Sequence, residues 1–428
     1  MFDRKRRWLI VAIAISVALA GCAPSVPAVV KAAEVSSNKP RVDPTSADES
    51  AIPSLVEGNT RLALDLYRTL FNAAENQFAS PYSISLALAM TYAGARNETA
   101  AEMARTLHWM SVDDLPAAFN ALDLLLRSRG QDLTKDERFR LNIANAIWGQ
   151  QGFGFQDEFL DTLAQYYNSG LRLLDFSHSP DAARKVINQW VEEQTEDKIK
   201  DLLPEGSIDS LVRMVLTNAI YFNAAWQYPF DQQATHDGVF HRLDGSTVTV
   251  PLMHQSELLG YAAGPGYQAV ELPYVGGDLS MLILLPDEGT FADWAKKLDA
   301  DTLAGIVGSL EHQQVQLSLP RFSFDSEVQL KAALQKLGMS QPFTAEADFS
   351  GMTGRRDLFI DDVYHKAFVA VDESGTEAAA ATAVVMRLSG MPLEPVAVTV
   401  DRPFLFLIRD TGTGAVLFLG HVVNPAQS

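Results

Sequence analysis

Residues 373–395 constrain this chain more than any other stretch. They read Glu373-Ser-Gly-Thr-Glu-Ala-Ala-Ala-Ala-Thr-Ala-Val-Val-Met-Arg-Leu-Ser-Gly-Met-Pro-Leu-Glu-Pro395 and follow an apolar strand candidate at 366–371. The alanine run by itself favours helix. A buried helix, a linker, and an exposed segment able to become a strand are all compatible with the composition. Alternation of period two places Thr376, Ala378, Ala380, Thr382, Val384 and Met386 on one face. That face carries no charge, and its first members are small enough to slide between existing strands. Glu377, Ala379, Ala381, Ala383, Val385 and Arg387 take the other face, where the two charged residues are expected to stay wet. A strand from 376 to 386 would span about 35 Å, so only a long sheet could accept it. Gly375 stands just before it, where a hinge would need unusual backbone freedom.

The chain around this segment can supply such a sheet. It has 428 residues, 47% of them hydrophobic and 20% charged, which is enough for a large core. Helical spacing dominates the first half, with candidates at 56–72, 83–92, 99–107, 115–127, 155–167 and 182–199. Strand candidates follow at 141–149, 214–222, 246–253, 267–272, 281–285, 315–319 and 397–400. One late helix is expected at 328–337, and a hairpin with a glycine-rich turn at 404–420. The fold class is α+β with large antiparallel or mixed sheets.

The N-terminus reads as an export signal. Arg4, Lys5, Arg6 and Arg7 precede an apolar run over 9–20 that is short for a membrane span. Leu19-Ala20-Gly21-Cys22 then resembles the bacterial lipobox, and Cys22 is the only cysteine in the chain. That resemblance implies cleavage after residue 21, lipidation of Cys22, and a membrane-anchored protein of the cell envelope facing periplasm or exterior. Simple secretion is the alternative. Residues 22–55, interrupted by five prolines, are expected to form a disordered tether, with one domain over 56–428.

Searches for catalytic chemistry return little. The sequence holds no G-x-S-x-G, HExxH or GxxxxGK[ST] motif. Its eight histidines are scattered, and a lone cysteine excludes a multi-cysteine metal site. Asp361 and Asp362 near His365 suggest a turn and a packed histidine rather than acid–base work. A net charge of -19 argues against a basic nucleic-acid face. No enzyme activity, cofactor or metal is expected.

The 373–395 segment closely resembles the proximal hinge and reactive-centre loop of the serpins. Other stretches agree in order: Asn76 to Ser85, Ile187 to Val191 with Thr195, Lys198 and Ile199, Asn218 to Trp226, Leu319-Pro320-Arg321-Phe322, Arg402-Pro403-Phe404, and Gly420 to Pro425. The resemblance covers about 56–425. It implies a large central sheet, two further sheets, eight to nine helices and an exposed loop. It also implies a suicide substrate. A protease attacks the loop, and the acyl-enzyme is trapped when the loop enters the central sheet as an extra strand. The hinge residues are then Glu373, Gly375, Thr376, Glu377, Ala378, Ala379, Ala380, Ala381 and Thr382. Ser80, Ser83, Asn218 and His365 match shutter positions, while Arg321 and Trp226 match the breach, with Arg321 paired to Glu373. Counting sixteen residues from Glu373 gives Ser389-Gly390 as the reactive bond, with Leu388 and then Arg387 as alternatives. Counting back from Phe404 moves the bond toward Met391 or Pro392. The implied partner is a serine protease of elastase-like, subtilisin-like or chymotrypsin-like type, ahead of a trypsin-like one. Some members also act on cysteine proteases. The working oligomeric state is a monomer. A non-inhibitory member whose loop is merely cut is the other reading.

Overall fold

The computed structural model describes residues 31–131, 133, 139–377 and 394–427. Their strands form two hydrogen-bonded assemblies. The first has seven strands, in the spatial order Ala33–Val35, Leu171–Leu174, Arg140–Gln150, Met214–Ala225, Gly375–Thr376, Val363–Val371 and Phe322–Gln329. Its centre is the strand Met214–Ala225, buried on both faces apart from Asn223 and correspondingly apolar and β-branched. One of its faces packs on the main core with Phe222, Ile220 and Leu216. The other packs under the helix Pro180–Gln194 through Trp148, Val215, Ala219 and Tyr364.

The remaining nine strands form the two further sheets expected of the fold, linked in one hydrogen-bonded path. The strand Thr247–Gly264 is the reason. At 18 residues it is long enough to pair with His236–His241, Glu311–Pro320 and Tyr267–Pro273, joining what two short strands would have kept apart.

Eleven α-helical segments occur among the described residues, against eight to nine expected. The surplus lies in short pieces such as Ser46–Ser50 and Ser350–Thr353. The late helix is shorter than periodicity indicates. Phe322–Gln329 is a strand, and only Lys331–Lys336 is helical. The helix Pro81–Tyr92 is buried along nearly its whole length, and Ser80 caps it by accepting from the Ser83 amide at 3.2 Å.

The tether expectation is corrected from residue 31 onward. Ala33–Val35 pairs antiparallel with Leu171–Leu174 at the sheet edge. Ser37 and Lys39 bond Asp161, and Arg41 reaches Asn120 and the buried Asp123 at 2.7 Å. Thr45 and Asp48 form a capping box for Ser46–Ser50. Pro-interrupted and weakly apolar, this strap is held by main-chain pairing and ion pairs, neither of which requires a hydrophobic pattern. Cys22 lies outside the described residues.

Candidate functional site

Where the strand Val363–Val371 ends, the chain must reverse. Asp372 makes the turn: its carboxylate accepts from the amides of Ser374 (2.8 Å) and Gly375 (3.3 Å), and its own amide donates to Gly375 O at 3.0 Å. Gly375 and Thr376 then run back as a two-residue strand between Met214–Ala225 and Val363–Val371, pairing with Ala225, Ala224 and Val371. The close approach selects glycine. A Cβ at 375 would lie 2.1 Å from Ala224 O and 2.8 Å from Ala225 Cα, both backbone atoms that cannot yield.

The hinge residues within the described region are all held. Thr376 is buried, its hydroxyl 2.7 Å from the Tyr274 hydroxyl. Tyr274 in turn stacks on Trp226, with ring centroids 4.6 Å apart. Trp226 Nε1 donates to Asp372 O at 3.0 Å, and its backbone amide to Ser374 O at 2.9 Å. Glu373 is 3% exposed, and both its oxygens accept from Arg321 at 2.5 Å. Burial alone would raise the carboxyl pKa. Arg321, with the Thr235 hydroxyl at 2.7 Å, outweighs that and holds it below the ordinary glutamate value. The expected Arg321–Glu373 pair is therefore present, and Thr235 is a partner that sequence reasoning missed.

Glu377 is not on a wet face. Its side chain is 13% exposed, its carboxylate accepts from Lys198 Nζ, and its carbonyl accepts from Asn223 Nδ2. Its backbone turns left-handed, with φ 55°, and the short strand stops there. Ala378, Ala379, Ala380, Ala381 and Thr382, and the reactive-bond candidates Arg387, Leu388, Ser389 and Gly390, lie outside the described residues.

Lower in the same sheet, the strands Met214–Ala225 and Val363–Val371 meet directly in parallel, with His365 opposite Asn218. Five polar side chains cluster behind that contact. The Ser80 amide donates to His365 Nε2 at 3.1 Å, which leaves the proton on Nδ1, where it faces Asn218 Oδ1. Asn218 Nδ2 donates to Ser83 Oγ at 2.6 Å and to Asn145 Oδ1. Asn145 also accepts from Ser83 Oγ (2.9 Å) and donates to Ser83 O (3.0 Å). Ser80 Oγ donates to Leu417 O at 2.7 Å. The network satisfies its buried groups without a formal charge. Burial pushes His365 down to about 3, so it is neutral. Ser80, Ser83, Asn218 and His365 are thus brought together as expected. Asn145 was missed, although an asparagine inside the strand candidate 141–149 was a visible irregularity.

Nothing in this region has the geometry of a catalytic centre. Asp362 accepts from the amides of Lys331 and Val363, the arrangement of a turn, and His365 is locked in packing. Among the described residues no group of three His, Cys, Asp or Glu side chains could hold a metal, and no helix is long and apolar enough to cross a membrane.

Comparison with known proteins agrees with this geometry. The family model for serpins (serine protease inhibitors) matches residues 57–425. An uncharacterised serpin-like protein of Thermococcus kodakarensis is 40% identical over 374 residues, covering 87% of this chain and 86% of that protein. Leukocyte elastase inhibitor A of Rattus norvegicus is 41% identical over 386 residues, covering 87% of this chain and 99% of its own. Among solved structures, the thermophilic serpin tengpin in its native state superposes with a TM-score of 0.80 at 30% identity, covering 92% of this chain and 100% of tengpin. The family is one of protease inhibitors, not enzymes. With its central sheet, seated hinge and family match all in agreement, the chain belongs to the serpins.

Proposed function

We propose that this protein is a single-use inhibitor of a serine endopeptidase, cut in the segment after Glu377 and then trapping the acyl-enzyme by drawing that segment into its central sheet. One observation carries the reading: the hinge is already seated in register. Thr376 pairs with Ala224 on one side and Val371 on the other. Continued residue by residue, that register sets Thr382 between Asn218 and His365, which today face each other. The same count brings Met386 level with Met214, where the flanking strand begins. The uncharged face of the loop therefore matches the length of the slot.

Insertion must separate the strands between Leu216 and Ile220 from those between Val363 and Ala367. The parallel ladder lost there is replaced by two antiparallel ones, each new hydrogen bond contributing about 1 kcal/mol net. Neutral partners at the shutter can change hands without stranding a charge in the core. The protease, held through its acyl bond, would be carried with the loop, and its active site distorted.

The reactive bond is assigned first to Ser389-Gly390, then to Leu388, then to Arg387. Ser389 or Leu388 fits elastase-like, subtilisin-like and chymotrypsin-like pockets, and the similarity to leukocyte elastase inhibitors supports that order. We further assign export, cleavage before Cys22 and lipid anchoring in a bacterial envelope, on the basis of the 19–22 motif. Purified protein mixed with an elastase, subtilisin, chymotrypsin and trypsin panel tests inhibition. A protease–inhibitor band that survives SDS is expected, and the mass of the released C-terminal fragment locates the bond. Cleavage without any such band, for every protease, would leave a non-inhibitory serpin. Labelling with a lipid precursor, with Cys22→Ser as control, tests the anchor.

A further inference from the structure

The segment that must enter the sheet contains one charged residue between 376 and 386, Glu377, and the structure gives it a dedicated counter-ion. Thr376 faces the core at Tyr274. Its neighbour Glu377 faces the opposite side of the sheet, beneath the chain that follows the helix Pro180–Gln194. Lys198 lies on that chain. Its backbone is fixed by the hydrogen bond from its amide to Thr195 O at 3.0 Å, and the next residue, Ile199, is fully buried. Its ammonium sits 5.8 Å above the Phe368 ring, which belongs to the strand flanking the slot. From there Nζ donates to Glu377 Oε1. Glu196, whose charge also acts on Lys198, is already paired with Arg140 at 3.1 Å.

We propose that Lys198 is a positioning residue for loop insertion: it neutralises Glu377 as that side chain passes under the covering chain. This rests on the inhibitor reading above. The register keeps the assignment consistent through insertion. Glu377 follows Thr376, so as an extended residue it falls level with Asn223, whose side chain already contacts its carbonyl. The glutamate therefore stays on Lys198's side of the sheet when its backbone leaves the left-handed conformation. Without the ammonium, a carboxylate with little access to water would keep only the Tyr221 hydroxyl and no counter-charge, and entry would slow relative to hydrolysis of the acyl-enzyme.

The test uses the full chain and three variants: Lys198→Met, Lys198→Arg, and Lys198→Met combined with Glu377→Gln. Two quantities are read with the protease that forms the SDS-stable complex: the rate of acylation and the number of inhibitor molecules consumed per protease trapped. Lys198→Met should raise the consumption ratio about tenfold while leaving acylation within about twofold. Lys198→Arg and the double variant should both return the ratio to within about twofold of the unsubstituted protein. A structural defect alone would not be cured by removing the opposite charge. In a protease-free arm, hydrogen exchange at the amides of 375–377 should quicken in Lys198→Met. An unchanged ratio, an absent rescue by Glu377→Gln, or unchanged exchange would each overturn the assignment. If the unsubstituted protein traps no protease, the inhibitor reading fails, and the exchange arm still decides whether Lys198 holds Glu377.

Discussion

The breach and the shutter lie at two levels along the strands Met214–Ala225 and Val363–Val371, yet they are built from opposite materials. At the breach, a buried glutamate is held by an arginine whose side chain is 47% exposed, and the contact lies within reach of water. At the shutter, two serines, two asparagines and a neutral histidine bond one another with no ion among them. The upper site fixes where the loop is rooted and does not need to part. On the proposed mechanism the lower one must open, and a charge there would be exposed to the core whenever the strands separated. Charge marks the anchor, and neutrality marks the moving part.

The largest expected effect comes from carrying charge into the moving part. Thr376→Arg puts a guanidinium where a buried hydroxyl meets Tyr274. Cleavage of the loop should proceed normally while trapping falls by about 100-fold or more, since an unpaired buried cation costs several kcal/mol. Gel analysis with the responsive protease reads both. Retained trapping would mean that the inner face does not enter the sheet.

Acid separates the two sites by pH window. His365 is held well below its unfolded value, at about 3, so the folded protein binds fewer protons than the unfolded chain as pH drops below 6.5. Its contribution is complete above that value and is lost as pH falls toward 3. Glu373 is also held low, but its contribution is complete above about 4.5 and is lost only below that. From pH 6.5 to 5, the shutter therefore weakens while the breach is unaffected. Each buried neutral histidine should cost about 2 kcal/mol across that interval. His421, pushed down to about 4 by burial, contributes to the slope over the same window. His365→Gln should accordingly reduce the pH dependence of denaturant unfolding between pH 6.5 and 5 by about 2 kcal/mol, His254 and His421 carrying the rest. An unaltered slope would show that the shutter histidine is not neutral.

How far the sequence could be read follows the same divide. The root of the hinge was legible because small side chains in period two admit a strand, and Gly375–Thr376 form one, but its register partners were not. Arg321 and Glu373 were legible because their spacing matches a family pattern. Asn145 and Thr235 were not, and Lys198 was read only as part of a family-like stretch, without its contact to Glu377. Each acts across strands or loops, and which residues meet there depends on register and on loop paths that no local pattern encodes. The strap over 31–50 was misread for a related reason. Edge pairing by Ala33–Val35 uses backbone groups, which every residue has, and the Arg41–Asp123 contact joins positions that sequence inspection cannot bring together. The long strand Thr247–Gly264 was expected only as 246–253, because its polar middle, His254 to Glu257, breaks the apolar run.

Removing charge from the anchor should have a moderate effect. Arg321→Met leaves Glu373 with Thr235 alone and should cost about 1–2 kcal/mol at pH 7, the partial exposure of the arginine limiting the value. The deficit should shrink below pH 4.5, where the glutamate of the parent protein also takes up a proton.

The smallest expected change probes the neutral part of the breach. Trp226→Phe keeps a ring over Tyr274 but deletes the donor to Asp372 O. The indole hydrogen bond should be worth about 1 kcal/mol, and the carbonyl left behind belongs to the turn that seats Gly375. Denaturant unfolding of the two single variants and of the double variant with Arg321→Met measures their sum. Additivity would place the tryptophan and the ion pair as independent holds on one turn. A loss from Trp226→Phe larger than that from Arg321→Met would put the strength of the breach in neutral contacts too, and the contrast between charged anchor and neutral moving part would then fail.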